Sequence, residues 1–126
     1  MSDSPTVIAL VRDLMFASRI TASARTQGLT VKIVRSAATL EQLAGVRLIV
    51  DLAEPGTISA AVTWKQRSGG QVVGFVSHVD QQTIADARQA GIDRILSRGA
   101  FTAQVDRLID PNLPLLPPDD ASDIAD

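Results

Sequence analysis

Five short apolar runs rich in β-branched residues recur along the chain, and they constrain its fold more than any other feature of the sequence. The runs occupy residues 6–11, 30–34, 46–50, 71–76 and 94–96. The first, third and fourth are almost continuous in valine, isoleucine and leucine, without regular alternation with polar residues. Strands that are apolar on both faces are typical of a parallel sheet covered by helices on each side.

Segments with the apolar spacing of amphipathic helices separate these runs. Apolar residues repeat at helical intervals within residues 16–24, 40–44, 58–62, 84–87 and 101–109. Gly28 and Gly91 are predicted to end the first and fourth helices. Thr39 with Gln42 has the spacing of a capping box for the second helix, and Thr102 is predicted to lead into the fifth.

Strand and helix therefore alternate five times along the chain. This alternation predicts an α/β fold with a doubly wound, five-stranded parallel sheet and right-handed crossovers. The flavodoxin-like strand order 2-1-3-4-5 is the usual solution at this size. Trp64 lies off the centre of the third helical stripe, so we expect it at the edge of the core and partly exposed.

The bulk composition indicates one soluble domain. With 126 residues, of which 45% are hydrophobic and 21% charged, the chain can bury a core but has little length for a second domain. Cysteine is absent, which excludes disulfides and thiolate metal sites. No apolar run approaches the ~20 residues that span a bilayer, and the polar start MSDSPT does not resemble a signal peptide. We therefore expect a cytoplasmic location without membrane contact.

The end of the chain differs in composition from the rest. The last eight residues, DDASDIAD, carry four of the 14 acidic residues and no base, and four prolines stand between them and Asp110. Without those eight residues, 12 basic residues face 10 acidic ones, a balance too even to predict a nucleic-acid surface. We predict a folded domain over residues 1–110 and an extended, disordered proline-rich acidic tail over residues 111–126.

The ends of the predicted strands carry a group of polar residues. In open α/β sheets the functional crevice lies at the carboxyl ends of the strands. The residues at these ends are Arg12, Asp13, Asp51, Ser77, His78, Ser97 and Arg98. The chain lacks a GxGxxG or GxxxxGK[ST] loop, a Ser-His-Asp arrangement and a metal-ligand motif, so we do not expect an enzyme.

Three stretches, in the same order along the chain, resemble the response regulator receiver domain family. The family's strand that ends in the phosphoacceptor aspartate, with Pro-Gly after it, is similar to RLIVDLAEPG at residues 47–56. Its second half is similar to VVGFVSHVDQQTIADARQAGIDRILSRGAF at residues 72–101, and its first strand with an acidic pair is similar to VIALVRDL. The resemblance covers residues 6–109 and implies a receiver-like module of two-component signal transduction and phosphorelay.

The resemblance also implies roles for the strand-end residues. It makes Asp51 the phosphoacceptor and Asp13 one of the two acids that hold Mg²⁺. It makes Ser77 the hydroxyl that contacts the phosphoryl group, and it places Arg98 where the family has a lysine. If Mg²⁺ binds, Asp13 and Asp51 are its expected protein ligands.

Several positions depart from the family's pattern. Arg12 replaces the first acid of the metal-binding pair, which removes a ligand and repels the cation. Arg98 keeps the charge of the lysine but changes its reach and hydrogen-bond geometry. Gly99 replaces the usual proline, and Ile95 stands at the position of the switch aromatic. His78 takes a normally small position; we expect a polar residue that begins a loop, with a titration switch as the alternative.

These departures suggest a site without a metal. We predict that Arg12 and Arg98 pair directly with Asp51 and Asp13, because a planar guanidinium can make bidentate hydrogen bonds to a carboxylate. Such pairing would hold the module in one state. No cofactor is then expected, and Mg²⁺ is the alternative.

Three functions remain open on the sequence. The favoured one is a phosphorylation-independent receiver-like module that acts by protein–protein contact. The alternatives are a working phospho-receiver that accepts a phosphoryl group from a histidine kinase on Asp51, and a flavodoxin-like module that binds a small anion. The expected partner is a kinase, a downstream effector or a second copy of this chain. We predict that it contacts Arg88, Arg94 and Arg107, on the face made by the fourth helix, fifth strand and fifth helix.

Overall fold

Five strands alternate with five helices in the structure, a computed structural model that describes residues 6–115 of the chain. In order they are β1 (Val7–Leu10), α1 (Leu14–Gln27), β2 (Val31–Val34), α2 (Ala37–Leu40), β3 (Arg47–Asp51), α3 (Thr57–Ser68), β4 (Gln71–Val76), α4 (Gln81–Ala90), β5 (Arg94–Ser97) and α5 (Arg98–Leu108). Each strand coincides with a predicted apolar run to within one residue at either end. Each helix within residues 6–115 is too short or too polar to cross a bilayer.

The five strands form one parallel sheet in the order β2-β1-β3-β4-β5. The predicted doubly wound α/β fold with strand order 2-1-3-4-5 is therefore confirmed. From β1 the chain first adds β2 on one side and then returns past β1 to add β3 on the other. The topological switch point, where ligands bind in folds of this type, thus lies between β1 and β3.

A hydrophobic cluster packs on each face of the sheet. Successive strand residues point to opposite faces, so Ile8 and Leu48 join one cluster while Val7 and Ile49 join the other. Helices α2, α3 and α4 contribute to the first cluster, and α1 and α5 contribute to the second. Because both faces are covered, the central strands need apolar residues at consecutive positions, which explains their unbroken runs.

The helix starts differ from the predicted ones in two places. The second helix is capped by Ser36, whose hydroxyl accepts a hydrogen bond from Thr39 N at 3.2 Å, so the predicted capping box from Thr39 to Gln42 is wrong. The fifth helix begins at Arg98 under a cap from Ser97, whose hydroxyl accepts from Ala100 N at 3.1 Å. Thr102 therefore lies inside that helix and does not lead into it.

Trp64 is fully buried, with 1% of its surface exposed, so the prediction that it is partly exposed is wrong. It belongs to the cluster under α2, α3 and α4. The space for its ring depends on the absence of a side chain at Gly70. A Cβ at Gly70 would lie 2.5 Å from Trp64 Cη2 and 2.8 Å from the carbonyl oxygen of Gly45. The helical stripe alone does not reveal this space, because the glycine lies six residues further along the chain.

Arg47, at the start of β3, is a buried cation that bonds to the segment after α5. Only 3% of Arg47 is exposed. Its Nη1 donates to the carbonyl oxygens of Leu108 at 3.1 Å and Asp110 at 2.8 Å, and its Nη2 donates to Leu113 O at 2.8 Å and Gln71 Oε1 at 3.3 Å. Burial lowers the pKa of Arg47, an effect that the charge of Asp110 partly opposes.

These hydrogen bonds place part of the predicted tail against the domain. Leu115 also packs against the cluster under α1 and α5. The packed body therefore continues past the predicted boundary at Asp110, at least to residue 115. The remainder of the predicted tail, residues 116–126, lies outside the described residues.

Candidate functional site

Asp51 ends β3 at the carboxyl edge of the sheet and is almost completely buried, with 2% exposed. Its Oδ1 accepts a hydrogen bond from Ala53 N at 3.0 Å. Thr57 Oγ1 donates to the carbonyl oxygen of Asp51 at 2.9 Å and to that of Glu54 at 2.8 Å. The carboxylate is thus held by the loop that follows its strand, and the first residue of α3 secures that loop.

Arg98, the first residue of α5, brings a cation to this carboxylate. Its Nη2 lies 3.8 Å from Asp51 Oδ2. The guanidinium carbon also stands 5.2 Å from the ring centroid of Phe16 and 5.8 Å from that of Phe75, distances at which a cation is attracted to an aromatic face. The predicted pairing of Arg98 with Asp51 is therefore present as one ion pair, and two aromatic rings support the guanidinium.

The rings under Arg98 belong to a stack that was not predicted from the sequence. Phe75 lies between Phe16 and Phe101, with ring centroids 4.6 and 4.7 Å from theirs. These are the three phenylalanines of the chain, and they come from α1, β4 and α5. Because the chain has only three phenylalanines, their grouping in one cluster could have been suggested from the sequence. The stack ties the helix that carries Arg98 to the central sheet.

Asp13 and Arg12 do not complete the predicted clamp. Asp13 is exposed and caps α1, where its Oδ1 accepts from Met15 N at 2.8 Å and from Phe16 N at 3.2 Å. Arg12 is also exposed, and within residues 6–115 it forms no ion pair with Asp51 or Asp13. The arginine lines a neighbouring crevice at the ends of β1 and β2. Of the four predicted members of the clamp, the structure pairs only Arg98 with Asp51.

Ser77 and His78 follow β4 at the same edge of the sheet. Ser77 is half-buried, and its hydroxyl accepts from Val79 N at 3.4 Å, within its own loop. His78 is exposed, as expected of a residue that begins a loop, and its carbonyl oxygen accepts from Gln81 Nε2 at 2.9 Å. The bonding of both residues is local to the start of α4.

The pKa of Asp51 is raised above its ordinary value, mainly because burial penalises the charged form. The hydrogen bond from Ala53 and the charge of Arg98 act in the opposite direction, while Glu54 and Asp13 raise it further. A carboxyl group with a raised pKa in the folded state stabilises the fold most when protonated. The contribution of Asp51 to stability is therefore fully present at a pH below its pKa in the unfolded state. It is lost as the pH rises through its pKa in the folded state.

Asp51→Asn is therefore expected to stabilise the protein at pH 7 by about 1 kcal/mol, because it removes a charge whose burial is only partly compensated. Below the ordinary aspartate pKa of 3.8 the gain should disappear, since both side chains are then neutral. Thermal unfolding across pH 3 to 7 measures the difference. Asp13→Asn is the control, because asparagine preserves the helix cap and Asp13 is exposed. A loss of stability in Asp51→Asn at pH 7 would contradict this assignment.

Exposed apolar residues, which were not predicted from the sequence, also lie at this edge of the sheet. Leu14 and Met15 follow Asp13 at the start of α1, with 70% and 69% of their surfaces exposed. Val79, which follows His78, is 72% exposed. These side chains therefore leave apolar surface exposed at the edge of the sheet where Asp51 lies.

The three arginines predicted to contact a partner differ in accessibility. Arg88 in α4 and Arg107 in α5 are exposed. Arg94 in β5 is only 6% exposed, which leaves little of its surface for the predicted contact. The segment after α5 lies beside it, where Pro114 and Leu115 share a small cavity with Arg94. A residue covered in this way offers almost no surface to another protein.

Comparisons with known proteins identify the fold. No family model matches the chain, and no curated protein matches it. The receiver domain of a sensor histidine kinase from Pseudomonas aeruginosa, solved with a magnesium ion in its active-site cleft, aligns with a TM-score of 0.65 and 16% identity over 83% of this chain and 97% of that one. A receiver domain of a Francisella response regulator aligns with a TM-score of 0.65 and 16% identity over 86% and 99% of the two chains.

A third similar structure was solved as a complex. It is the receiver domain of a response regulator from Saccharomyces cerevisiae, bound to the histidine phosphotransfer protein upstream of it. The alignment has a TM-score of 0.65 and 12% identity over 88% of this chain and 92% of that one. The chain therefore has the receiver fold that the sequence resemblance implied.

Proposed function

We propose that this chain is a receiver-like signalling module that acts by contact with another protein and does not accept a phosphoryl group. The observation that carries the proposal is the ion pair between Arg98 and the buried carboxylate of Asp51, at 3.8 Å. The receiver fold of the similar structures supports the signalling role. The ion pair supports the absence of phosphorylation.

A phosphoacceptor carboxylate has to be ionised and reachable by the phosphodonor. Asp51 is 2% exposed, so a phosphodonor has little access to its carboxylate. The charge of Arg98 already stabilises the ionised carboxylate, so the negative group does not depend on a metal ion. Two aromatic rings also hold this arginine beside the carboxylate.

The donor set does not fit Mg²⁺, the ion present in the Pseudomonas domain. Magnesium requires near-octahedral oxygen ligands and is repelled by nearby fixed cations. Residues 6–115 contain no group of three aspartate, glutamate, histidine or cysteine side chains placed to hold a metal ion. Of the two predicted ligands, Asp13 is engaged as a helix cap and Asp51 is paired with Arg98. Arg12 adds a further positive charge next to Asp13 in the chain.

We propose that the partner is another signalling protein, by analogy with the yeast domain and its phosphotransfer protein. The contact face includes the exposed residues Arg88 of α4 and Arg107 of α5. Helix α4 supports a contact role because only Ile84 and Ala87 are buried along its ten residues. A helix with so few buried apolar side chains is held weakly, so its position can change on binding at a low cost in free energy.

Reversing both charges, in Arg88→Glu with Arg107→Glu, is expected to abolish the association without unfolding the protein, because both side chains are exposed. Quantitative crosslinking in the native cell, followed by mass spectrometry, measures the yield of each adduct. The matched control is Arg19→Glu with Arg25→Glu, which reverses two exposed charges of α1. Adducts that survive the first double variant and vanish in the control would move the contact face to α1.

A further inference from the structure

A crevice of about 320 Å³ opens at the carboxyl ends of β1, β2 and β3. Leu10 and Arg12 reach it from the end of β1. Arg35 reaches it from the connection after β2, and Ala37 reaches it from the first position of α2. Pro55 completes the apolar wall from the loop after β3. The crevice borders the switch point between β1 and β3, the place where doubly wound sheets bind ligands.

Two guanidinium groups line this crevice, and neither has a partner among residues 6–115. Arg12 and Arg35 are both exposed, and neither has a hydrogen bond or an ion pair with another described residue. Unpaired arginines beside a concave surface are ready to receive a planar or tetrahedral anion, because each can donate two parallel hydrogen bonds. The two positive charges are the groups of the crevice best suited to bind an anion.

The other polar groups of the crevice are already engaged or are negative. Ser36 uses its hydroxyl to cap α2, and Thr57 donates its hydroxyl to two backbone carbonyls. Glu54 is half-buried at the rim and brings one negative charge. With two cations and one anion, the crevice keeps a formal charge of about +1, which favours a ligand with a single anionic head.

We propose that this crevice binds a small organic anion, with one carboxylate or phosphate head on a compact apolar body. The head would pair with Arg12 and Arg35, and the body would pack on Leu10, Ala37 and Pro55. The volume lies within the range of about 300–1,000 Å³ that small-molecule sites occupy. The proposal goes beyond the signalling role, because it uses neither Asp51 nor the face of α4 and α5.

Titration of the ¹⁵N-labelled full chain with phenyl phosphate, followed by NMR, tests the site. We expect saturable shifts of the backbone amides of Arg35, Ala37 and Thr57. Phenol, which lacks the charge, and inorganic phosphate, which lacks the apolar body, should each bind at least about tenfold more weakly, or ~1.4 kcal/mol. Benzoate in a parallel titration distinguishes a carboxylate head from a phosphate head, and tight binding of either supports the site.

Arg35→Gln is expected to weaken phenyl phosphate binding at least about tenfold, because it removes one of the two cations. The matched control is Lys32→Gln, which removes an exposed cation of β2 that does not line the crevice and should leave binding within about twofold. Equal affinity in the two variants, or no saturable shifts with either anion, would overturn the proposal. The titration contains no phosphodonor and no partner, so its failure is separate from a failure of the signalling role.

Discussion

Arg47→Met is expected to lower the free energy of unfolding by about 3 kcal/mol or more. Methionine fills much of the same space but donates no hydrogen bonds, so the carbonyl oxygens of Leu108, Asp110 and Leu113 lose the donors that satisfy them. A hydrogen bond to a charged group contributes about 1.5–3 kcal/mol, and a buried acceptor left unpaired costs about 1–3 kcal/mol. Urea unfolding at pH 7 measures the loss.

The same variant should release the segment after α5. Hydrogen exchange of amides in residues 110–115 is expected to accelerate more than exchange in the central strands. Lys32→Met is the matched control, because Lys32 is an exposed cation on β2, an edge strand of the same sheet, and its loss should change stability by less than about 0.5 kcal/mol. If Arg47→Met unfolds at the same urea concentration as the control, the hydrogen bonds of Arg47 contribute little to stability.

Arg12→Asp is expected to raise the affinity for Mg²⁺ at least about tenfold, or ~1.4 kcal/mol. The change removes a cation next to Asp13 and adds a second carboxylate at the end of β1. The repulsion of Mg²⁺ therefore falls, and the number of carboxylate ligands rises. Isothermal titration with MgCl₂ at low ionic strength measures the affinity. Lys32→Asp makes the same change of charge on β2 and should not raise it. Unchanged affinity in Arg12→Asp would show that Arg12 is not what weakens the metal site.

Much of the fold could be predicted from the sequence, because strands buried on both faces of a sheet have unbroken apolar runs. The apolar runs around Val7 and Ile49 are continuous for this reason, and their alternation with helical stripes leaves few topologies. Other features depend on residues distant in sequence. Trp64 is buried because Gly70 leaves space for its ring. The segment beyond Asp110 is held by Arg47, more than 60 residues earlier.

The candidate site could be predicted only in part. Strand ends place Asp51 and Arg98 on one edge of a parallel sheet, and the structure brings them together. The direction of a side chain in a loop is not determined by its position in the sequence pattern. Arg12 therefore lines the crevice beside Arg35 and does not reach Asp51. The aromatic support of Arg98 depends on three elements meeting in space, which no local pattern specifies.

The most direct test of the account is the reaction of the purified full chain with acetyl phosphate and Mg²⁺, followed by intact mass spectrometry. A receiver domain known to be phosphorylated, in the same reaction, shows that the donor is active. We predict no mass increase corresponding to a phosphoryl group, because Asp51 is buried and paired with Arg98. A stoichiometric, acid-labile phosphoryl adduct that is absent in Asp51→Asn would contradict the account and would establish a working phospho-receiver.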